Sequence, residues 1–157
     1  MKELDAGDTQ AVVAIQRLQA AYADAVTRRD WSTVRELFAP DAVVHIDTRT
    51  RDPLSLDGPE ALVAFIDQAI AHFTFFEFTI LNATVDVHGD DARGRMYICE
   101  LRADGDGAWS EAYGLYRDRY QRRAGDWRIA ERHYSSLARR TPTGTEAFTL
   151  PTDRGGD

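Results

Sequence analysis

Four β-branched and aromatic stretches, residues 73–87, 92–102, 109–122 and 127–137, follow one another with only short turns between them. The turns are His88-Gly-Asp-Asp, Ala103-Asp-Gly-Asp-Gly and Ala124-Gly-Asp, built from the residues a reversing backbone favours. Connections this short join antiparallel neighbours, because a parallel crossover needs a dozen or more residues. The second half of the chain is therefore expected to be an antiparallel meander. Everything before it has to pack on that sheet.

The first half is mostly helical in pattern. Over residues 9–29, Val12, Ile15, Leu18, Tyr22 and Val26 recur three or four apart. That is the stripe of an amphipathic helix of about five turns, with Asp8 or Thr9 placed to cap it. Asp30-Trp-Ser-Thr reads as a break and a new cap. A second helix follows, with Val34, Leu37 and Phe38 inward, and stops at Ala39-Pro40. Val43-Val-His-Ile is a short strand, and residues 51–59, with two prolines and a glycine, read as a loop. Pro59 opens a third helix with Leu62, Phe65, Ile66, Ala69 and Ile70 inward.

This order gives an α+β fold in which three helices fill the concave side of a strongly curved, mainly antiparallel sheet. A pocket is expected between the first helix and the sheet. The convex face, still rich in Trp and Tyr, is expected to be covered by a second copy in a homodimer. The domain is placed at residues 1–138. Residues 139–157 carry Thr, Gly and Pro with little to build a core, and are expected to form a flexible tail. Packing of Phe148 and Leu150 on the body or a partner is the alternative.

Composition narrows the function classes. With 19 Lys and Arg against 26 Asp and Glu the net charge is −7, which argues against nucleic acid as a partner. Cys99 is the only cysteine, so neither an internal disulfide nor a thiolate metal cage is available. No apolar run approaches the ~20 residues of a membrane span, and the acidic opening segment does not read as a signal peptide. A soluble, cytoplasmic protein without a membrane partner is the expectation. The four histidines show neither HxxxH nor HExxH spacing, and no phosphate loop or GxSxG elbow occurs. No metal and no cofactor are expected. The basic run from Arg117 to Arg123 reads as a solvated strand end.

Five segments, taken in order, carry a resemblance. They are Tyr22-Ala-Asp-Ala-Val-Thr-Arg-Arg-Asp-Trp, Leu37-Phe-Ala-Pro-Asp-Ala-Val, Val87-His-Gly-Asp-Asp-Ala-Arg-Gly-Arg-Met-Tyr, Tyr116-Arg-Asp-Arg-Tyr and Gly125-Asp-Trp-Arg-Ile-Ala. Their order and spacing make residues 12–137 similar to the SnoaL-like branch of the nuclear-transport-factor-2-like superfamily. The resemblance implies a cone-shaped α+β barrel with a deep apolar pocket. It also implies the cofactor-free chemistry of relatives such as scytalone dehydratase, ketosteroid isomerase, polyketide cyclases, a dehydrochlorinase and bile-acid dehydratases. The same fold hosts non-catalytic subunits and binding modules.

Carried over residue by residue, the catalytic Asp of the dehydratase and dehydrochlorinase relatives falls on Thr27, and its partner His falls on Phe78. A Thr hydroxyl is no general base near neutral pH, and Phe has no proton to move. The oxyanion-binding Tyr of ketosteroid isomerase falls on Tyr22 and its second acid on Tyr116. Its base falls on Ile46, flanked by His45 and Asp47.

Each candidate also has an ordinary structural role open to it. Tyr22 lies on the buried stripe, either as a pocket phenol or as a core aromatic. Glu100 interrupts an apolar strand on the face of Met96 and Ile98; it is a pocket acid or base, or a rim carboxylate paired with Arg102 or Arg117. His133 is placed by alternation on the face of Ile129 and Glu131, as a proton carrier or a structural histidine. His45 and Asp47 share a face that the resemblance turns outward, unless a β-bulge reverses it. His72 and His88 are expected in solvent.

Together these readings give a protein that binds a hydrophobic, carbonyl-bearing small molecule of polyketide, terpenoid or steroid type. It would act as a cofactor-independent isomerase, cyclase or dehydratase. Tyr22 and Tyr116 would stabilise an enolate, and Glu100 or His133 would move the proton. Thr27, Ile46, Phe78, Met96 and Ile98 would line the pocket. The alternative is a non-catalytic binding or accessory protein that lacks the Asp–His dyad.

Overall fold

The computed structural model describes residues 3–152, so the end of the expected tail, residues 153–157, lies outside the described residues. Helix α1 (Ala6–Arg28) starts earlier than its apolar stripe because Asp5, not Asp8 or Thr9, is its cap; the Asp5 carboxylate accepts from the Asp8 N–H at 2.7 Å. Ile15, Leu18, Tyr22 and Val26 are buried along it. Asp30 caps α2 (Trp31–Leu37) by accepting from the Thr33 N–H at 3.1 Å. Phe38 does not extend that helix; it opens β1 (Phe38–Asp47) and is buried.

Part of the expected loop at 51–59 is a short edge strand, β2 (Leu54–Asp57), antiparallel to β1. Its Leu54 and Leu56 alternate with Ser55 and Asp57, a period-2 signal too short to outweigh the flanking prolines. Helix α3 (Gly58–Ile70) begins with Pro59 in its first turn. The meander then runs through β3 (Phe75–His88), β4 (Asp91–Ala103), β5 (Trp109–Arg123) and β6 (Asp126–Thr141).

These strands form one curved sheet in the order β2-β1-β6-β5-β4-β3. The β1–β6 pair is parallel, and the other pairs are antiparallel. β1 can join the last long strand because α3 and the meander intervene, which gives the connection the length a parallel pair requires. β2 and β3 stand at the two ends of this order, so the cone stays unclosed. The helices and the concave face share one core, with Ile15, Tyr22, Met96, Ile98, Tyr120 and Ile129 almost or wholly inaccessible.

The tail corrects its reading. β6 continues to Thr141, and β7 (Gly144–Ala147) turns back on it, with Ala138 opposite Ala147 and the Phe148 N–H donating to the Leu137 carbonyl at 2.8 Å. All four β7 residues are exposed. This segment adds nothing to the core, as its composition indicates, but its backbone finds partners on β6 across the Thr-Pro-Thr-Gly turn.

Register along β6 decides which side chains face inward. Tyr120 pairs with Ile129 but Arg119 pairs with Glu131, so Ala130 is an extra residue, a β-bulge. Ile129 points into the core, and beyond the bulge Arg132 and Tyr134 point inward while Glu131 and His133 point outward. Simple alternation therefore fails for His133.

Candidate functional site

A cavity of about 330 Å³ lies between α1, α3 and the concave face of the sheet. Val26, Val44, Ile46, Leu62, Ile66, Phe76 and Phe78 make much of it apolar, and α3 supplies more of this wall than α1 does. The polar lining comes from Tyr22, Glu100, Arg102, Tyr116, Arg132, Tyr134 and Arg139, with Arg51 and His72 at the exposed edge.

Arg132 is the most consequential of these. It is 1% exposed, and its Nε and Nη2 donate to the two oxygens of Asp118 at 2.8 and 2.7 Å. Asp118, itself buried, also accepts from the Tyr120 hydroxyl at 2.9 Å, and that hydroxyl accepts from Gln19 Nε2 at 2.9 Å. A buried ion pair persists only with good geometry and satisfied partners, and this network supplies both for Asp118. Nη1 of Arg132 finds no hydrogen-bond acceptor among the described residues. Aromatic faces surround the guanidinium instead: its carbon lies 4.1 Å from the Tyr116 ring centroid, 4.3 Å from Tyr22 and 5.3 Å from Phe38. Stacking of this kind suits arginine because guanidinium is planar and weakly hydrated.

Tyr22, Phe78, Tyr116 and Tyr134 form one aromatic cluster. Tyr22 meets Phe78 and Tyr116 edge-on at 5.4 and 6.1 Å, Phe78 stacks on Tyr116 at 5.9 Å, and Tyr134 tilts against Tyr116 at 5.3 Å. Burial pushes the Tyr22 phenol above its ordinary value, against the opposing effects of Arg132 and Tyr116. Burial, reinforced by Tyr22, pushes Tyr116 well above it, again against Arg132. Both phenols are therefore neutral near pH 7 and can donate hydrogen bonds, but they are not bases. Glu100 is the one carboxylate among the lining residues, with a side chain 15% exposed. Arg102 holds it through Oε2, from Nε at 3.1 Å and from Nη2 as well.

The residues singled out from sequence divide in two. Tyr22, Ile46, Phe78, Glu100 and Tyr116 converge on the cavity. Met96 and Ile98 share the inward face with Glu100 but are wholly buried in the core and do not reach the lining. Thr27 is also off the lining. Its Oγ1 donates to the Ala23 carbonyl at 2.8 Å and accepts from the Phe78 N–H at 3.0 Å, fastening α1 to β3. The two positions that would carry the Asp–His dyad thus meet in space as a structural clip.

His133 stands on the outer face because of the bulge at Ala130, and hydrogen-bonds Glu131 at 2.8 Å. His45 also faces outward; its Nδ1 is 2.8 Å from Ser55 Oγ and its ring stacks on His133 at 4.3 Å. Asp47 pairs with Arg49. His72 lies 3.6 Å from Asp104, and His88 lies 3.0 Å from Asp86 in solvent.

Sequence reasoning missed Arg132 and Asp118. The run 117–123 is not uniformly solvated: Asp118 is buried and Arg117, Arg119 and Gln121 point the other way. A signal was available, because alternation from Tyr116 to Tyr120 places Asp118 on the buried face. A buried acid calls for a cation on the neighbouring strand.

A family model for the SnoaL-like domain matches residues 8–133. A search of curated proteins finds no match. Among solved structures, LinA is similar over 91% of this chain and 96% of its own, at 20% identity and a TM-score of 0.76. Hexachlorocyclohexane dehydrochlorinase LinA-type3 from Novosphingobium barchaimii matches over 91% and 97%, at 18% identity and 0.75. A function-unknown protein from Mycobacterium tuberculosis matches over 86% and 78%, at 25% identity and 0.71. The likeness to the two dehydrochlorinase-type structures is one of fold. With the family model spanning most of the chain, this protein belongs to the SnoaL-like family.

Proposed function

We propose that the cavity binds a hydrophobic, carbonyl-bearing small molecule of polyketide, terpenoid or steroid type and moves a proton on it without a cofactor, as an isomerase, cyclase or dehydratase. The observation that carries this reading is one apolar cavity holding two neutral buried phenols, backed by a buried guanidinium, together with a single carboxylate.

Glu100 removes a proton from the carbon next to the carbonyl. The C–H electron pair forms the enolate C=C bond, and the carbonyl π pair moves to oxygen. Tyr22 or Tyr116 donates a hydrogen bond to that oxygen, and the charge of Arg132 behind the rings strengthens the donation. When the substrate also has a β,γ double bond, return of the proton from Glu100 to the γ carbon of the dienolate gives the conjugated isomer. When it has a β-hydroxyl, that group leaves as water with the proton Glu100 took, and the C=C bond forms between the α and β carbons. Preorganised donors of this kind are worth ~10²–10³-fold each, and a positioned base ~10²–10⁴-fold. Arg51 at the exposed edge and the half-buried Arg139 of the lining suit a substrate whose polar end is acidic. The reading keeps a homodimer paired through the uncovered convex face, and a 17.7 kDa species at sedimentation equilibrium would overturn that part.

A second reading rests on Thr27 and Phe78. Their dyad positions are spent on a helix-to-strand clip, as in a binding protein that performs no chemistry.

The test is hydrogen–deuterium exchange α to the carbonyl of 2-tetralone in deuterated buffer, followed by proton NMR. The expected result is exchange faster than buffer, lowered ~10²-fold or more in Glu100→Gln and lowered in Tyr116→Phe with binding retained. Binding with exchange at the buffer rate establishes the binding-protein reading instead. Absence of both binding and exchange overturns the proposal.

A further inference from the structure

The convex face presents a group of side chains that the cavity chemistry does not use. We infer that His45, Glu131 and His133 form a binding site for a divalent transition-metal ion, separate from the cavity. One ligating atom from each of the three lies within 4.8 Å of the others. His133 Nε2 is 2.8 Å from Glu131 Oε1, and His45 Nε2 is 3.7 Å from the same oxygen. Metal–ligand bonds of about 2.0–2.2 Å put neighbouring donors roughly 3.3 Å apart in a tetrahedral site. The two rings have to turn out of their stacked pose for all three donors to meet on one ion, which then replaces the hydrogen bond between His133 and Glu131.

The backbone builds this arrangement. β1 and β6 pair in parallel with His45 directly opposite His133, so the two imidazoles stand side by side, stacked at 24°. The bulge at Ala130 turns Glu131 and His133 to the same outer face as His45. Ser55, opposite His45 on β2, bonds Nδ1 and leaves Nε2 directed at Glu131. Metal-binding histidines characteristically have their other ring nitrogen held in this way.

In the single chain the side chains of His45, Glu131 and His133 are 39%, 38% and 41% exposed, open to an ion from solvent; the proposed homodimer has to pair over a part of the convex face that leaves them open. Two imidazole nitrogens and one carboxylate suit zinc, copper or nickel rather than calcium or magnesium. Three protein ligands leave a coordination position for water. Arg117 and Arg119 on β5 stand opposite His133 and Glu131; their charges oppose the ion, so the affinity is expected to be micromolar. The ion would clamp β1 to β6, the one parallel seam of the sheet, and so favour the folded chain.

The test uses full-length protein stripped with EDTA and titrated with zinc chloride, read by calorimetry and by the imidazole resonances in NMR. The expected result is one ion per chain at micromolar concentration, with shifts confined to His45 and His133 and a thermal midpoint that rises with zinc. His45→Ala and His133→Ala should each weaken binding ~10-fold or more, and Ser55→Ala ~10-fold, with the metal-free far-UV spectrum unchanged. Zinc shifts on His72 or His88 instead, affinity no better than millimolar, or binding unchanged in His45→Ala would each overturn the inference. Were His45→Ala not to fold, the wild-type NMR titration alone decides.

Discussion

Replacing Asp118 with Asn keeps the shape of the side chain and removes its charge. Asp118 accepts three hydrogen bonds in the interior, from Arg132 Nε, Arg132 Nη2 and the Tyr120 hydroxyl, at 2.8, 2.7 and 2.9 Å. An Asn amide can accept with its oxygen only, so in either orientation its NH2 must face a guanidinium N–H that is donating. One charge-assisted bond is lost, worth about 1.5–3 kcal/mol. Arg132, with a side chain 1% exposed, is left without its counter-charge. Removing one partner of a buried pair costs about 3–5 kcal/mol in total. For a chain of this length that corresponds to a fall in Tm of roughly 6–20 °C. Urea unfolding followed by Trp fluorescence and by circular dichroism measures it directly. The double variant Arg132→Met with Asp118→Leu removes both charges and should lie within about 1 kcal/mol of the wild type, or above it. An Asp118→Asn loss below about 1 kcal/mol would refute the reasoning and mean that the aromatic rings alone hold the cation.

Thr27→Val should cost about 1–3 kcal/mol by leaving the Phe78 N–H unsatisfied, and amide exchange at Phe78 should accelerate; unchanged exchange would remove the clip. Gly114→Ala places a Cβ against the Tyr134 ring. It should destabilise by about 1–3 kcal/mol and be relieved in Gly114→Ala with Tyr134→Leu, measured as Tm. Burial raises the phenols of Tyr22, Tyr116, Tyr120 and Tyr134, and hydrogen bonding to Glu111 pushes Tyr113 up to about 12. Raised folded values mean the unfolded chain ionises first. The stabilisation is full below pH 10 and is lost as pH climbs through the folded values. Absorbance at 295 nm and pH 11 should be well below that in urea; equal absorbance would contradict the burial of these rings.

Much of the fold was legible because it is written locally. The stripe on α1, Pro59 at the start of α3 and the Gly-Asp turns each act within a few residues, and all four meander strands stand within four residues of where the pattern puts them. Tyr22, Ile46, Phe78, Glu100 and Tyr116 reach the cavity because α1, β1, β3, β4 and β5 keep regular periodicity through those positions. β2 and β7 were not legible. Their pairing rests on backbone hydrogen bonds to a partner strand, and four residues carry too little side-chain pattern to announce it.

What the sequence by itself determined is the class of molecule: three helices on a curved, mainly antiparallel sheet with an apolar interior. What only the tertiary structure decided is which distant atoms meet. One extra residue at Ala130 turned His133 away from the cavity and Arg132 into it. The parallel seam between β1 and β6 set His45 against His133 across 88 positions of chain. A strand has a period of two, so a single bulge exchanges its faces. Its position depends on how the whole sheet curls around the helices rather than on the residues beside it.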